Sequence, residues 1–407
     1  MPVQAAQHGA PEHMLDMTQV AIEAVQRSPN LVALRRKSDV SEAQALAAGL
    51  LPDPQFSASG DHPTVHGADL VNAYALGLSE DLQTLLTYPS RSSAAKAAAD
   101  QAKLDLLWNE WQTIEQAGAL YAQKIFSDQK AKQLTDTATK LLLQADHSER
   151  ALSTGDTTID LAGADLSTAL DLASQADTAS RDALTADIGL KSLLDLKPDA
   201  ALQLAALGDP QPLTRDGVSK ALANVTKARP DLLALQAGYQ SQEENVRTAI
   251  LQQFPAITFG FNRASDTSRI QTSGLALTVN LPIFGSTQAN IKVQRATRAQ
   301  LKAEYMARLD QTTSDAWRLF EEISLLRAQA ARLEEKLPAF ERMAQTSQKA
   351  YTAGDLSPAT YAILQTSLSA REAELFDLKS QLWSDTLALR TILAIPAILP
   401  TPTAETK

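Results

Sequence analysis

The sequence contains no cysteine, which excludes disulfides, thiolate chemistry and a cysteine lipid anchor within these residues. Aromatic residues make up only 5% of it. Alanine, leucine, glutamine and aspartate dominate instead, and these favour long helices because they lose little rotamer freedom there. Positive charge is also short: 37 Lys and Arg stand against 47 Asp and Glu, for a formal net charge of -10. No basic stripe is available to replace counterions on phosphate, so a nucleic-acid partner is excluded. No run reaches the roughly 18 apolar residues that a spanning helix needs. The opening MPVQAAQHGAPEHMLDM lacks the positive n-region and apolar h-region of a secretory signal. The expectation is a cytosolic protein or a mature, trimmed form, and cysteine usage leaves the compartment open.

What is present is a repeat. AIEAVQRSPNLVALRRKSDVSEAQALAAGLLPDPQFSASG begins at Ala21, and ALANVTKARPDLLALQAGYQSQEENVRTAILQQFPAITFGF begins at Ala221. Pro29 aligns with Pro230, Pro54 with Pro255, Gly155-Asp156 with Gly354-Asp355, and Lys197-Pro198 with Ile395-Pro396. The chain therefore reads as two tandem halves, 15–199 and 218–396. A Gly/Pro-rich linker over 200–217 joins them, and a disordered tail over 397–407 follows. Each half runs through a short helix opened by proline, a β-hairpin, a very long helix, a Gly-Asp break and a second long helix.

The hairpins are expected at about 54–81 and 255–282. In AITFGFN, Ile257, Phe259 and Phe261 share one face. In LALTVNL, Leu275, Leu277, Val279 and Leu281 do the same, which is the period-2 pattern of a strand. RASDTSRIQTS between them reads as a polar turn. Tyr74, Leu76 and Leu78 form the apolar face of the first, weaker hairpin. Strands of seven to nine residues are expected, against the roughly nine to eleven of a membrane-spanning strand.

The helices carry a different period. Leu319, Ile323, Leu326, Ala330, Leu333, Leu337, Phe340 and Ala344 step by four and three, as a coiled-coil seam does. Leu134, Ala138, Leu141, Ala145, Ser148 and Leu152 repeat it, and Tyr361, Leu364, Leu368, Leu375, Leu378, Leu382, Leu389 and Ile392 line the return helix. Pro338 predicts a kink or break. The Gly-Asp pairs fit hairpin tips at 153–158 and 352–357: glycine ends one helix in the left-handed region and a polar residue caps the next. Ser357-Pro358 continues that signal.

These residues carry a resemblance. ARPDLLAL (228–235), LTVNLPIFGSTQANIKVQRA (277–296) and KAYTAGDLSPATYAILQTSL (349–368) resemble second-half blocks of the TolC family of outer-membrane efflux proteins, and RSPNLVAL and LLPDPQFS resemble first-half ones. The likeness spans about Leu15 to Ile395 and leans toward the heavy-metal and cation-efflux branch. It implies a mainly α fold with a small β part. It further implies a trimeric α-helical tunnel and a shared twelve-stranded outer-membrane barrel. The physics of closure agrees, because four strands cannot form a membrane barrel alone. The resemblance implies a passive exit duct of a tripartite pump, in the outer membrane of a Gram-negative cell. The partners it implies are a homotrimer, a periplasmic adaptor, an inner-membrane pump and outer-membrane lipid. Ile257, Phe259, Phe261, Leu275, Leu277 and Val279 would face lipid. Thr154, Gly155, Asp156, Ala353, Gly354, Asp355, Leu356 and Ser357 would meet the adaptor. Asp160 and Asp165 would ring the periplasmic aperture, where Thr360 and Gln365 stand in the second half, and would favour cations. A soluble periplasmic coiled-coil scaffold or adaptor is the alternative.

No catalytic arrangement or cofactor motif is present, and no enzyme is expected. His62 and His66, with Asp61 and Asp69, sit beside Pro63 and Gly67 in a loop, so they do not present the helical i, i+4 pair of a metal site. His8, His13 and His147 form no motif. STGD lacks the Lys-Ser/Thr ending of a phosphate loop.

Overall fold

A computed structural model describes residues 14–64, 70–281 and 285–396. His8, His13, His66, Asp69 and the tail over 397–407 lie outside the described residues. The element order is α1 (Met17–Arg27), α2 (Pro29–Ala48), β1 (Gln55–Asp61), β2 (Ala73–Asp81), α3 (Leu82–Thr154) and α4 (Ile159–Leu193). The same order follows again as α5 (Arg215–Ala228), α6 (Pro230–Leu251), β3 (Ala256–Ser265), β4 (Gln271–Asn280), α7 (Ser286–Ala353) and α8 (Pro358–Ile392). One expectation needs revision: each proline-opened helix is preceded by another. Ser28 and Arg229 end α1 and α5 with extended backbone (ψ 120° and 119°). A residue before proline is pushed out of the helical region, and proline then opens the next helix at no cost in hydrogen bonds.

The repeats are not the compact units. One unit comprises Trp108–Arg229 with the flanking segments up to Ala33 and from Gln311; the other comprises Leu34–Leu107 and Pro230–Asp310. Each is built from corresponding pieces of both halves.

In the first unit the seams are buried. Leu134, Ala138, Leu141 and Ala145 of α3 pack with Ala169, Leu172, Ala176 and Ala179 of α4 and with Tyr361, Ala362 and Ala373 of α8. Leu319 and Ile323 of α7 pack with Leu382 and Leu389 of α8. Alanines at most of the buried positions of α4 let the helix axes approach closely. Helix α7 runs through Pro338 without a break. Pro338 is solvent-exposed, so the carbonyl it leaves unpaired is open to water. Both α4 and α8 end on a left-handed non-glycine residue, Asp195 (φ 52°) and Ala394 (φ 57°). The side chains of Lys191 and Arg390 then reach forward to Pro198 O (3.0 Å) and Pro396 O (2.7 Å). Aligning these ends pairs Asp195 with Ala394, so the first half carries one more residue before its proline than the sequence alignment allows.

The second unit holds one antiparallel sheet in the order β1-β2-β3-β4. Its strands have 7, 9, 10 and 10 residues. The second hairpin is longer than its apolar alternation suggests. Arg263, Ala264 and Ser265 continue β3 against Gln271, Thr272 and Ser273 of β4. Ladder hydrogen bonds hold these polar residues in the strand, and the turn shrinks to 266–270. The first hairpin is a full partner: Leu78 lies between Phe56 and Phe261. Asp81 ends β2 and caps α3, accepting from Gln83 N and from Thr84 Oγ1, both at 2.8 Å.

Candidate functional site

The sheet has two unlike faces. Register places Phe56, Leu78, Phe261 and Leu275 side by side across all four strands. Phe259 pairs with Leu277 and Ile257 with Val279 on the same face. These side chains are bare. Leu275 is 75% exposed, Leu277 66%, and Phe261 51%. Leu76, Leu78, Phe56 and Phe259 are exposed as well, and Ile257 is half-buried. All six residues expected to face lipid thus lie on one exposed face, and Phe56, Leu76 and Leu78 extend it into the first hairpin. A contiguous apolar surface of this kind marks a contact with something other than water.

The opposite face is small and polar. Ser57, Gly77, Asn262 and Gly274 form one row, and Thr258 faces Thr278 in another. A Cβ on Gly77 would stand 2.6 Å from Ser57 Oγ and 3.0 Å from Asn262 Oδ1. Side chains therefore converge over this glycine, which is the crowding expected on the concave side of a curled sheet. Among the described residues, strands β1 and β4 each pair on one side only.

The tips lie in the helical unit and are built alike. Gly155 (φ 82°) and Gly354 (φ 80°) take the left-handed conformation. Gly155 N–H donates to Leu152 O (3.1 Å) and Asp156 N–H to Ala151 O (2.8 Å); Gly354 N–H donates to Tyr351 O (3.0 Å) and Asp355 N–H to Ala350 O (2.9 Å). Each pair of bonds is the Schellman closure of a helix end. The restarts differ. Ser357 Oγ accepts from Thr360 N at 3.3 Å with Pro358 behind it, whereas Thr158 makes no side-chain cap bond. Thr154 Oγ1 instead donates to Asp156 Oδ2 at 2.6 Å. Thr154, Gly155, Asp156, Ala353, Gly354, Asp355 and Ser357 are exposed; Leu356 is half-buried.

The two aperture aspartates separate. Asp160 is exposed in the first turn of α4. Asp165 is only 5% exposed and accepts a short hydrogen bond from Ser148 Oγ of α3. It is turned into the chain, so the expectation that it lines an opening is corrected. The reason is register. Asp165 falls in the run Ala162, Asp165, Ala169, Leu172, Ala176, Ala179, Ala183, Ala186, all buried on α4. That four-three alternation was present in the sequence and missed, because alanine hardly registers as apolar. His62 Nδ1 lies 2.6 Å from Asn72 Oδ1 across the first hairpin. Among the described residues no three His, Asp or Glu side chains gather as a metal site, and no helix is long and apolar enough to cross a membrane.

Comparison with known proteins gives one match by sequence and several by structure. Residues 218–394 match the family model of the outer membrane efflux protein. That match covers the second repeat, from within α5 to the end of α8. No curated protein sequence matches the chain. Solved structures match it over nearly its whole length. CusC, described as undergoing conformational changes with folding and transmembrane channel formation, is 16% identical with a TM-score of 0.74, covering 97% of this chain and 98% of that one. The Campylobacter jejuni outer membrane channel CmeC gives 14% and 0.77, covering 93% and 85%. The Vibrio cholerae outer membrane protein VceC gives 17% and 0.73, covering 94% and 97%. The structural matches thus extend over both repeats, whereas the sequence match covers the second. The fold is the TolC-like one anticipated from the tandem motifs. Identities of 14–17% do not separate one branch of channels from another.

Proposed function

We propose that the chain is the passive exit duct of a tripartite efflux pump, a homotrimer in the outer membrane of a Gram-negative cell. The observation that carries this is the four-stranded sheet with one bare apolar face and two unpaired edges. In water such a surface is an aggregation site; in lipid its face is solvated, but its edges must be paired. A four-stranded sheet is half the smallest usual barrel. Three chains joining β4 of one to β1 of the next give a closed barrel with Ser57, Asn262, Thr258 and Thr278 toward the lumen. The long helical hairpins supply the wall of a periplasmic tunnel. A passive duct needs no chemistry on its cargo, and the family model matched is that of outer membrane efflux proteins.

The exposed tips, with Thr154, Gly155 and Asp156 in one and Ala353 to Ser357 in the other, are the surfaces offered to a periplasmic adaptor and, through it, to an inner-membrane pump. Glycine at each apex keeps the backbone bare for close approach. Asp160 is the carboxylate that biases the narrow end toward cations. The soluble scaffold reading leaves the apolar face of the sheet uncovered and is not favoured. Planar-bilayer recording of the purified chain tests the proposal: discrete conductance steps from a detergent-extracted oligomer are expected. A monodisperse monomer that is stable without detergent and never conducts overturns it.

A further inference from the structure

One charge breaks the apolar face near its outer end, and it points to a lipid site. This inference rests on reading the sheet as a membrane face. The apolar side carries two charged residues, Glu80 and Arg263, in a field otherwise made of Phe, Leu, Ile, Val, Ala and Tyr with a few small polar groups. Glu80 stands two residues before α3 begins. Arg263 stands toward the opposite end, where β3 turns into β4, with Leu76 beside it on β2 and Ser273 on β4. If the long helices are periplasmic, the β3–β4 turn is the external end. Arg263 therefore sits at the level of the outer leaflet.

The next row beyond it is Gly60, Tyr74, Ser265 and Gln271. A phenol among small polar groups is the composition of a membrane interface. Arg263 is solvent-exposed, and among the described residues its guanidinium makes one long contact, Nη2 to Gln271 Oε1 at 3.5 Å. A guanidinium carries five N–H donors, so most of its fork is available. Its stem can lie along Leu76 while its head reaches the headgroup layer. The turn above is held in place: Asp266 Oδ1 accepts from Ser268 N and Ile270 N, both at 2.9 Å, and Val71 N–H donates to Thr267 O at 3.0 Å. That turn presents a second exposed cation, Arg269.

We propose that Arg263 binds the phosphate of an anionic outer-leaflet lipid, with Arg269 contributing from the adjoining turn. A planar fork beside a lipid-facing wall matches a phosphate oxygen pair in geometry and charge. The test titrates lipid A into the detergent-solubilised oligomer and reads the rise in Tm. The wild-type chain should be stabilised at lower lipid A than Arg263→Gln, with an apparent affinity about fivefold apart, the effect of one interfacial cation. Arg263→Lys should recover only part of the response, because an ammonium keeps the charge without the fork, and Arg269→Gln should lose less than Arg263→Gln. Equal titrations for wild type and Arg263→Gln overturn the proposal. So does an equal rise with dephosphorylated lipid A, or one reproduced by inorganic phosphate alone. Arg263→Gln should still conduct in phosphatidylcholine bilayers. A wild-type chain that does not insert there at all overturns the membrane reading itself, and this inference with it.

Discussion

The helical unit and the sheet treat apolar side chains in opposite ways. On α4, Ala169, Leu172, Ala176 and Ala179 are buried, while Asp160, Asp171 and Asp177 stay in water. On the sheet, Leu275, Leu277 and Phe261 are bare, while Gly260 is buried beneath Ser79 on the opposite face. Both regions obey one rule, that apolar groups leave water when a better medium is at hand. Along the alanine seam the helices find that medium in each other, although Leu161, Leu166, Leu170 and Leu184 of α4 remain exposed. Among the described residues the apolar face of the sheet finds none. The same inversion explains the small residues. In α4, alanine brings helices together; in the sheet, Gly77 and Gly260 relieve crowding on the polar face.

The largest effect should come from reversing the sheet's outward polarity. Phe261 lies in the middle of the row that crosses all four strands. Phe261→Arg should cost about 2–4 kcal/mol per chain if that row meets the bilayer midplane. The measurable outcome is loss of membrane-inserted oligomer, with helical content of the detergent-solubilised chain retained. Normal insertion of this variant would place the row in water and dissolve the comparison.

Overfilling the helical seam should hurt next most, and by a different route. Ala169 is fully buried among Leu134, Ala138, Leu141 and Leu172. Ala169→Leu should lower stability by about 1–3 kcal/mol through displaced neighbours. The same change at Ala164, exposed on α4, should be near neutral. Chemical denaturation of the two variants measures the difference, and equal losses would mean that α4 is not held by its alanine seam.

Much of this was legible in the sequence, and the failures have physical causes. Tandem motifs, hairpin faces, seams and tips all rest on periodicity, which local sequence carries. Strand length did not, because Arg263 to Ser265 are held by a neighbouring strand and not by their own alternation. The extra helix before each proline was missed because Pro29 and Pro230 were read as starts alone. The burial of Asp165 was missed because a carboxylate was read as surface while its register with Ala162 and Ala169 said otherwise.

The tips allow turn-making to be separated from docking. No atom lies within 4 Å of a Cβ built on Gly354, so a side chain there meets strain and not a clash. Gly354→Ala should cost about 1 kcal/mol for its left-handed backbone, while Gly354→Asn, which tolerates that region, should cost less. If the tip only turns the chain, Gly354→Asn leaves adaptor crosslinking and export intact. If bare backbone is what the adaptor meets, Gly354→Asn folds and conducts yet loses crosslinking. The matched pair at Gly155, whose following helix lacks a side-chain cap, should show whether the two tips share the work.

The smallest effect concerns a carboxylate in the helical unit. Glu372 of α8 receives a short hydrogen bond from Gln133 of α3, which also donates to Ser369 Oγ at 2.9 Å. Burial raises its pKa above the usual carboxylate range; the Gln133 contact lowers it, Glu341 raises it and Lys140 lowers it, in falling order of weight. A carboxyl group with a raised folded pKa binds its proton more tightly in the folded state than in the unfolded chain. Its contribution is therefore fully present below the unfolded value of about 4.3 and is lost as pH rises through the folded one. At neutral pH the ionised group is a net cost, and Glu372→Gln removes that cost while keeping an amide able to bond Gln133. The variant should match the wild type near the unfolded pKa and become the more stable form toward neutrality. The gain should stay below about 1 kcal/mol because the side chain is half-exposed and solvent screens it. Thermal unfolding across that pH range reads the sign directly. A gap that closes as pH rises would mean that Glu372 is stabilised as an anion, and that the α3–α8 contact favours its charge.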